Sequence, residues 1–324
     1  MPRDSAKVRA ARLAQLLPLH WLRPLEAKFL QSRAKGSPSL IFLLAVPRGG
    51  STLTYQSIIH SFQPVYLSNL WNLLYRVPYF GGALSQRGCE FHKSNFQSTH
   101  GFVEGACGPA EGLAFWSYWT GSELSDTSAD CNTESNILDR IDYLRDVTLS
   151  LATPAKPMVA GYLGHSLAAN KLREWFPEAI FIRLHREPLS NAMSIFEIRK
   201  ERKSSWFSVL PMECRDVIGS GIHQEVASQV YWLNKRLDWL DHDHRTIHIH
   251  YEELCQNPNE VMKGIVEFCN AREFDLSCLQ PMPEHFKCRI SQPSDSKDAA
   301  KLWCELESLV DRHGHLSAGS NFTA

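Results

Sequence analysis

The sequence predicts an α/β fold, a doubly wound and mainly parallel sheet with a P-loop-like phosphate cradle and helical insertions. Three observations point there. The run "LIFLLAV" at residues 40–46 is continuously apolar and of strand length, as a parallel strand covered on both faces requires. Three more short apolar or β-branched runs follow, "PMVAGYL" (157–163), "EAIFIRLH" (178–185) and "RTIHIHY" (245–251). Segments of helical spacing lie between them, and strands that alternate with helices imply parallel crossovers.

Each element has a local cause. After the first strand, Leu53, Ser57, Ile58, Ile59 and Phe62 repeat at helical spacing, with Ser51 or Thr52 as the natural N-cap. Further helices are expected over 167–175 and 191–202, and a third is marked by Val226, Val230, Leu233, Leu237 and Leu240. Residues 63–155 differ: they are rich in Trp, Tyr, Phe and Gly, include "GFVEGACGPAEGLAFWSYWTG", and have no strong period. They read as an insertion, either one that builds an aromatic-lined acceptor cavity or a helical subdomain whose aromatics are core.

No linker divides the 324 residues, so a single domain over 37–324 is expected, preceded by a basic segment, 1–36. That segment carries eight Lys/Arg against two acids, with Val8, Leu13, Leu16 and Leu17 interleaved. Two readings fit it: a helix on an anionic membrane or a partner, or a solvated lead-in helix packed on its own domain. Overall the chain is 44% apolar and 21% charged with a net charge of −1, which argues against a nucleic-acid partner and leaves any anion to be met by a local cluster of cations.

Nine cysteines (89, 107, 131, 214, 255, 269, 278, 288 and 304) form no C-x-x-C pair and are odd in number. This fits reduced thiols in a cytosol, and a cytoplasmic location is expected. The longest apolar run is too short to cross a bilayer, and the amino terminus lacks a signal-peptide core.

The chemistry concentrates at "PRGGST". The loop has no Gly-Lys-Ser/Thr ending and no companion acidic magnesium ligand, so it should bind an anion without a metal. Gly49 and Gly50 allow amides to approach an oxyanion, the helix start adds its positive end, Ser51 and Thr52 donate hydroxyls, and Arg48 supplies a fixed fork of charge. A second loop, in "FIRLHREPLSNAMSIF", puts Arg186 at a strand end, Pro188 at the first turn of a helix, and Ser194 two turns further on. Taken singly, the first is also a tight turn and the second a common strand-to-helix boundary.

Together the two loops resemble the sulfotransferases that use 3′-phosphoadenosine 5′-phosphosulfate. In that family a Pro-Lys/Arg-x-Gly-Thr/Ser-Thr loop holds the 5′-phosphosulfate, and an Arg with a later Ser holds the 3′-phosphate. The likeness lies at Pro47, Arg48, Gly50, Ser51 and Thr52, and again at Arg186, Pro188 and Ser194. A third match, "IHYEELCQNPNEVMKGIVEFCN", is similar to the family's Tyr-Glu-x-Leu segment and implies that Tyr251 contacts the adenine.

The resemblance implies transfer of a sulfuryl group to a hydroxyl or amine of a small-molecule, glycan or lipid acceptor. A cation must neutralise the leaving phosphate, and a base must take the acceptor proton. Arg48 fits the first role and, as an arginine, stabilises charge rather than donating a proton. For the base, the family pattern implies His165 in "AGYLGHSLAANKL", although Leu163 and Gly164 stand where the usual Lys-Thr would be. Glu104 and Glu111, around "GACGPAEG", compete for the role. Lys287 and Arg289 are candidates for a carboxyl-terminal loop closing over the nucleotide. In "DHDHRTIHIH", His248 and His250 share a strand face without a recognisable third ligand, and no metal is expected. The rival readings are a nucleotide-dependent kinase, which needs magnesium and ATP, and a scaffold of the same fold that binds an anion without chemistry.

Overall fold

The computed structural model describes residues 19–30, 36–89, 94–98, 101–125 and 134–316. The interleaved residues Val8 to Leu17 of the basic segment and Cys131 therefore lie outside the described residues. The order of elements is α1 (Arg23–Leu30), β1 (Leu40–Ala45), α2 (Ser51–Phe62), β2 (Val65–Tyr66), α3 (Asn69–Leu73), α4 (Pro78–Gly88), α5 (Leu113–Thr120) and α6 (Glu134–Leu151). There follow β3 (Met158–Ala160), α7 (Ala169–Trp175), β4 (Ile180–His185), α8 (Pro188–Arg202), α9 (Ile222–Arg236), β5 (Thr246–His250), α10 (Tyr251–Gln256), α11 (Pro258–Asn270) and α12 (Lys297–His313).

The five strands are all parallel, in the order β2-β3-β1-β4-β5. Strand β1 sits at the centre, with Ile41 opposite both Val159 and Ile180. All six of its residues are buried, which is why its sequence is continuously apolar and not alternating. The pleat still sorts them. Ile41, Leu43 and Ala45 join one core with α2, α8, α9, α11 and α12, while Leu40, Phe42 and Leu44 join a second core on the opposite face.

That second core explains the aromatic block. Trp71, Phe115, Trp116 and Trp119 are at most 1% exposed and pack under the sheet with Phe42, Phe176 and Phe181. Of the two readings of this block, the rings follow the second, a helical subdomain whose aromatics are core, rather than an aromatic-lined cavity. They are core, because the sheet has two apolar faces and the inserted helices are what cover one of them. The insertion also contributes the edge strand β2. Helix α1 is fixed on this side by Glu26, whose buried carboxylate accepts hydrogen bonds from Phe80 N at 2.7 Å and Tyr143 OH at 2.6 Å.

The thiols also depart from expectation at one pair. Cys89, which follows α4, and Cys107 form a disulfide that closes a separation of 18 residues. Cys214, Cys255 and Cys269 are buried free thiols, as small core residues, whereas Cys278 and Cys304 are exposed. None of the described helices is long and apolar enough to cross a membrane.

Helices α2 and α8 leave the adjacent strands β1 and β4 and carry the chain toward opposite edges of the sheet, to β2 and toward β5. The crevice for a ligand in such a sheet lies at the carboxyl ends of the two strands where the connections diverge. Residues 46–52 and 186–190 occupy that place.

Candidate functional site

The first loop is shaped by backbone contacts. Gly49 N–H donates to Val46 C=O at 2.9 Å, closing a turn so tight that a Cβ on Gly49 would lie 2.8 Å from that oxygen. Arg48 itself has a φ of +61°, a left-handed value that a non-glycine residue adopts at a cost. Gly50, with a φ of +96°, is the N-cap of α2, in place of the expected Ser51 or Thr52. A Cβ at Gly50 would lie 2.1 Å from Cδ2 of Tyr251, so only glycine admits the ring. Helix bonding begins with Thr54 N–H to Gly50 C=O at 3.0 Å, so the amides of Gly50, Ser51 and Thr52 stand ahead of the first intrahelical bond at the positive end of the helix.

The second loop closes directly on the first. Arg186 Nη1 donates to the Arg48 carbonyl, and Nη2 donates to the Arg289 carbonyl at 3.4 Å. Its guanidinium carbon lies 4.8 Å from the centre of the Tyr251 ring, a cation–π stack. In return Arg48 Nε donates to Ser194 Oγ at 3.2 Å. Asn191 Nδ2 donates to the Pro47 carbonyl at 2.7 Å, which seats α8 against the loop. Arg48, Arg186, Ser194 and Tyr251 thus converge on one corner, although they are far apart in sequence. Burial and, next, the charge of Arg186 lower the pKa of Arg48. Two guanidiniums held this close repel each other, and an anion between them would relieve both. Arg186 Nε is buried without a hydrogen-bond partner, an unspent donor at the same place.

The helix start at Pro188 is organised by Glu187, whose carboxylate accepts from Leu189 N at 2.8 Å and Ser190 N at 2.6 Å. Ser190 Oγ accepts from Ser291 N at 2.8 Å and so ties the carboxyl-terminal segment to this corner. Glu187, Ser190 and Asn191 were not singled out in the sequence. The one signal for them is their position in the first turn after Arg186-x-Pro. Arg289 reaches the site through its backbone only. Its guanidinium makes two bonds to Glu197, at 3.0 and 2.9 Å, with both side chains largely in solvent. Lys287 is exposed.

His165 is not at this corner. It lies in the 3-10 turn Leu163–Ser166 that follows β3, fully buried. Its ring sits among Phe42, Trp116 and Tyr162, with ring centres 5.0, 4.5 and 5.2 Å away. Both ring nitrogens lack a hydrogen-bond partner, and burial pushes its pKa down to about 3. A histidine sealed in the aromatic core and held neutral offers no exposed ring nitrogen to an acceptor hydroxyl in this structure, which departs from the expectation of His165 as base. The cause is the neighbouring Ser166, whose hydroxyl bonds to both Ala45 N (3.2 Å) and Ala45 C=O (2.8 Å) and pins the turn against β1 with the imidazole facing inward.

The two competing carboxylates separate cleanly. Glu104 is exposed. Glu111 lines a small pocket with Ser51, Thr52, Tyr55, Gln56 and Gly101, and desolvation pushes its pKa up to about 7. On the other side of the sheet's end, His185 stacks between His248 and His250, with ring centres 5.2 and 5.1 Å apart. Among the described residues there is no cluster of three or more side chains suited to a metal.

Similarity to known proteins follows the same lines. A model of the sulfotransferase family matches residues 38–275, which include both loops and Tyr251. No curated protein sequence matches the chain. Among solved structures, sulfotransferase STF9 from Mycobacterium avium superposes with a TM-score of 0.51 at 15% identity, over 95% of this chain and 76% of that one. Sulfotransferase STF1 from Mycobacterium tuberculosis H37Rv gives a TM-score of 0.50 at 14% identity, over 93% and 81%. At such identities the structures speak to the fold alone, whereas the family match spans most of the sequence, and by it the chain belongs to the sulfotransferase family.

Proposed function

We propose that the protein transfers a sulfuryl group from 3′-phosphoadenosine 5′-phosphosulfate to a hydroxyl or amine of a small-molecule, glycan or lipid acceptor. The observation that carries this is the direct contact between the two loops, Arg186 to the Arg48 carbonyl and Arg48 to Ser194, at the carboxyl ends of β1 and β4. A nucleotide with phosphates at both its 3′ and 5′ positions suits such a double cradle. The residues fit it: two positive side chains within one corner, a buried unpaired guanidinium nitrogen, and a glycine whose missing Cβ leaves room for an aromatic ring.

In this reading the amides of Gly50 to Thr52 and the hydroxyls of Ser51 and Thr52 hold the 5′ end. Arg186 and Ser194 hold the 3′-phosphate, and Tyr251 lies against the adenine. The donor supplies a sulfuryl group already activated by its bond to phosphate. Arg48 then meets the charge that grows on the departing phosphate, and does so without giving up a proton. Titration calorimetry with adenosine 3′,5′-bisphosphate tests the assignment. Binding is expected for the intact chain and loss of affinity for Arg186→Ala and Ser194→Ala; no heat with the intact chain would overturn it. A transfer assay with labelled donor then separates an enzyme from a scaffold that only binds, and insensitivity to a chelator separates it from a magnesium-dependent kinase.

A further inference from the structure

Relieving His165 of the base's role leaves the acceptor's proton without a destination. The pocket beside the phosphate loop supplies one. It is walled by Ser51, Thr52, Tyr55 and Gln56 from α2, by Gly161 just after β3, and by Gly101, Val103, Pro109 and Glu111 from the segment 101–112. Glu111 is the sole carboxylate that lines it. A Cβ placed on Gly101 would lie 3.5 Å from Glu111 Oε1 and 3.6 Å from Thr52 Oγ1, so carboxyl and hydroxyl flank one point in space.

The segment that carries Glu111 has almost no regular structure, yet it is braced along its length. Asn69 Nδ2 donates to the carbonyls of Val103 and Gly105 at 2.8 and 2.7 Å. Backbone bonds join Asn69 to Gly108, Leu70 to Ala106 and Ala110 to Leu67, at 2.8–2.9 Å. Tyr66 OH donates to the Cys107 carbonyl at 2.9 Å, and Cys107 is further tied to Cys89. Such bracing fixes the backbone of this segment beside the first turn of α2, and with it the point from which Glu111 projects, which is what a positioned base needs.

Resting on the proposed donor reading, we propose that Glu111 is the general base of the transfer and that the pocket beside Thr52 receives the acceptor's reactive hydroxyl. The carboxylate takes the hydroxyl proton as the acceptor oxygen bonds to sulfur. The bond between sulfur and the bridging phosphate oxygen breaks, and its electron pair leaves with adenosine 3′,5′-bisphosphate. The proton on Glu111 passes to water before the next turnover. A carboxyl that burial raises to a pKa of about 7 suits the task, because it still ionises in the neutral range and is a stronger proton acceptor than an exposed glutamate. Aliphatic alcohols depend on such a base most, since a phenol ionises far more readily on its own.

The test uses the full chain and the variants Glu111→Gln and Glu111→Asp, each checked for folding by thermal unfolding. Release of adenosine 3′,5′-bisphosphate from the donor is followed over a panel of phenols and aliphatic alcohols, with calorimetry of the same bisphosphate alongside. Glu111→Gln is expected to keep its nucleotide affinity within about twofold and to lower kcat by about 100-fold or more, the usual range for a general base. The loss is larger for alcohols than for phenols, and the rise of kcat with pH through about 7 disappears. A Glu111→Gln variant that keeps more than a tenth of kcat with an unchanged pH profile would place the base elsewhere while leaving the donor reading intact. Absence of nucleotide binding in the intact chain would instead remove the donor reading itself. If the donor binds and no phenol or alcohol of the panel turns over, the assignment of Glu111 as base is overturned.

Discussion

Replacing Gly50 by alanine probes the phosphate loop most directly, because two separate penalties fall on one methyl group. The backbone at Gly50 has a φ of +96°, and holding an L-residue in left-handed backbone costs about 1–2 kcal/mol. The new Cβ would also fall 2.1 Å from Cδ2 of Tyr251, well inside contact distance, and overpacking of that kind costs about 1–3 kcal/mol. Gly50→Ala is therefore expected to lose about 2–5 kcal/mol of stability in urea unfolding. If the structure yields by moving the Tyr251 ring, the stack of Arg186 on that ring goes with it, and bisphosphate affinity falls at about tenfold for every 1.4 kcal/mol lost. The control is Tyr251→Ala. Without the ring the steric part vanishes, and adding Gly50→Ala should cost only the backbone part, about 1–2 kcal/mol. An equal loss in both backgrounds, or a single-variant loss under about 0.5 kcal/mol, would refute the close packing of loop and ring.

Arg186→Ala removes donors to the Arg48 and Arg289 carbonyls together with the cation proposed to hold the 3′-phosphate. At about 1.5–3 kcal/mol for a charge-assisted bond, bisphosphate affinity should fall by about 10- to 150-fold in calorimetry. His165→Leu should keep kcat within about threefold, and a loss of 100-fold with binding intact would restore His165 as the base. The same variant should blunt acid unfolding. His165 titrates at about 3 when folded against an ordinary 6.5, so the unfolded chain binds the extra proton, and stability present above pH 6.5 is lost as pH falls toward 3. Urea midpoints at pH 7 and pH 4.5 measure the difference, which should shrink in the variant. Replacing Cys89 and Cys107 by serine opens a loop with a sequence separation of 18, for which the chain-entropy account gives a loss of about 3 kcal/mol. Urea unfolding with and without reductant measures it, and the intact protein should respond to reductant while the double variant does not.

The sheet and the positions of the two loops at its carboxyl ends are legible in the sequence because their signals are local. A buried parallel strand must be apolar throughout, a tight turn that leaves no room for a Cβ and then turns left-handed calls for a glycine pair, and a proline two residues after Arg186 marks a helix start. What depends on orientation is not legible. The distance in sequence from His165 to Arg186 carries no information on which way the imidazole points, and that is settled by Ser166 bonding to Ala45. That the cap of α2 has to be a glycine is settled by Tyr251, some two hundred positions later, which fills the space beside Gly50. The pairing of Cys89 with Cys107 depends on how α4 and the loop after residue 101 fold back on each other, and cysteine spacing does not encode that. Glu111 has the converse history: its glycine-rich setting looks like ordinary turn chemistry until the turn is seen against Thr52.

The tryptophans beneath the sheet have a consequence for how enzymes of this build diversify. Because Trp71, Trp116 and Trp119 are fully buried in the core on one face of the sheet, exchanging them to suit a different substrate would loosen the whole molecule before it altered preference. Room to adapt lies instead in the tethered stretch from Gly101 to Gly112, whose anchors are mostly main-chain groups indifferent to side-chain identity. A library confined to its outward-facing positions should shift selectivity while leaving the melting temperature nearly constant.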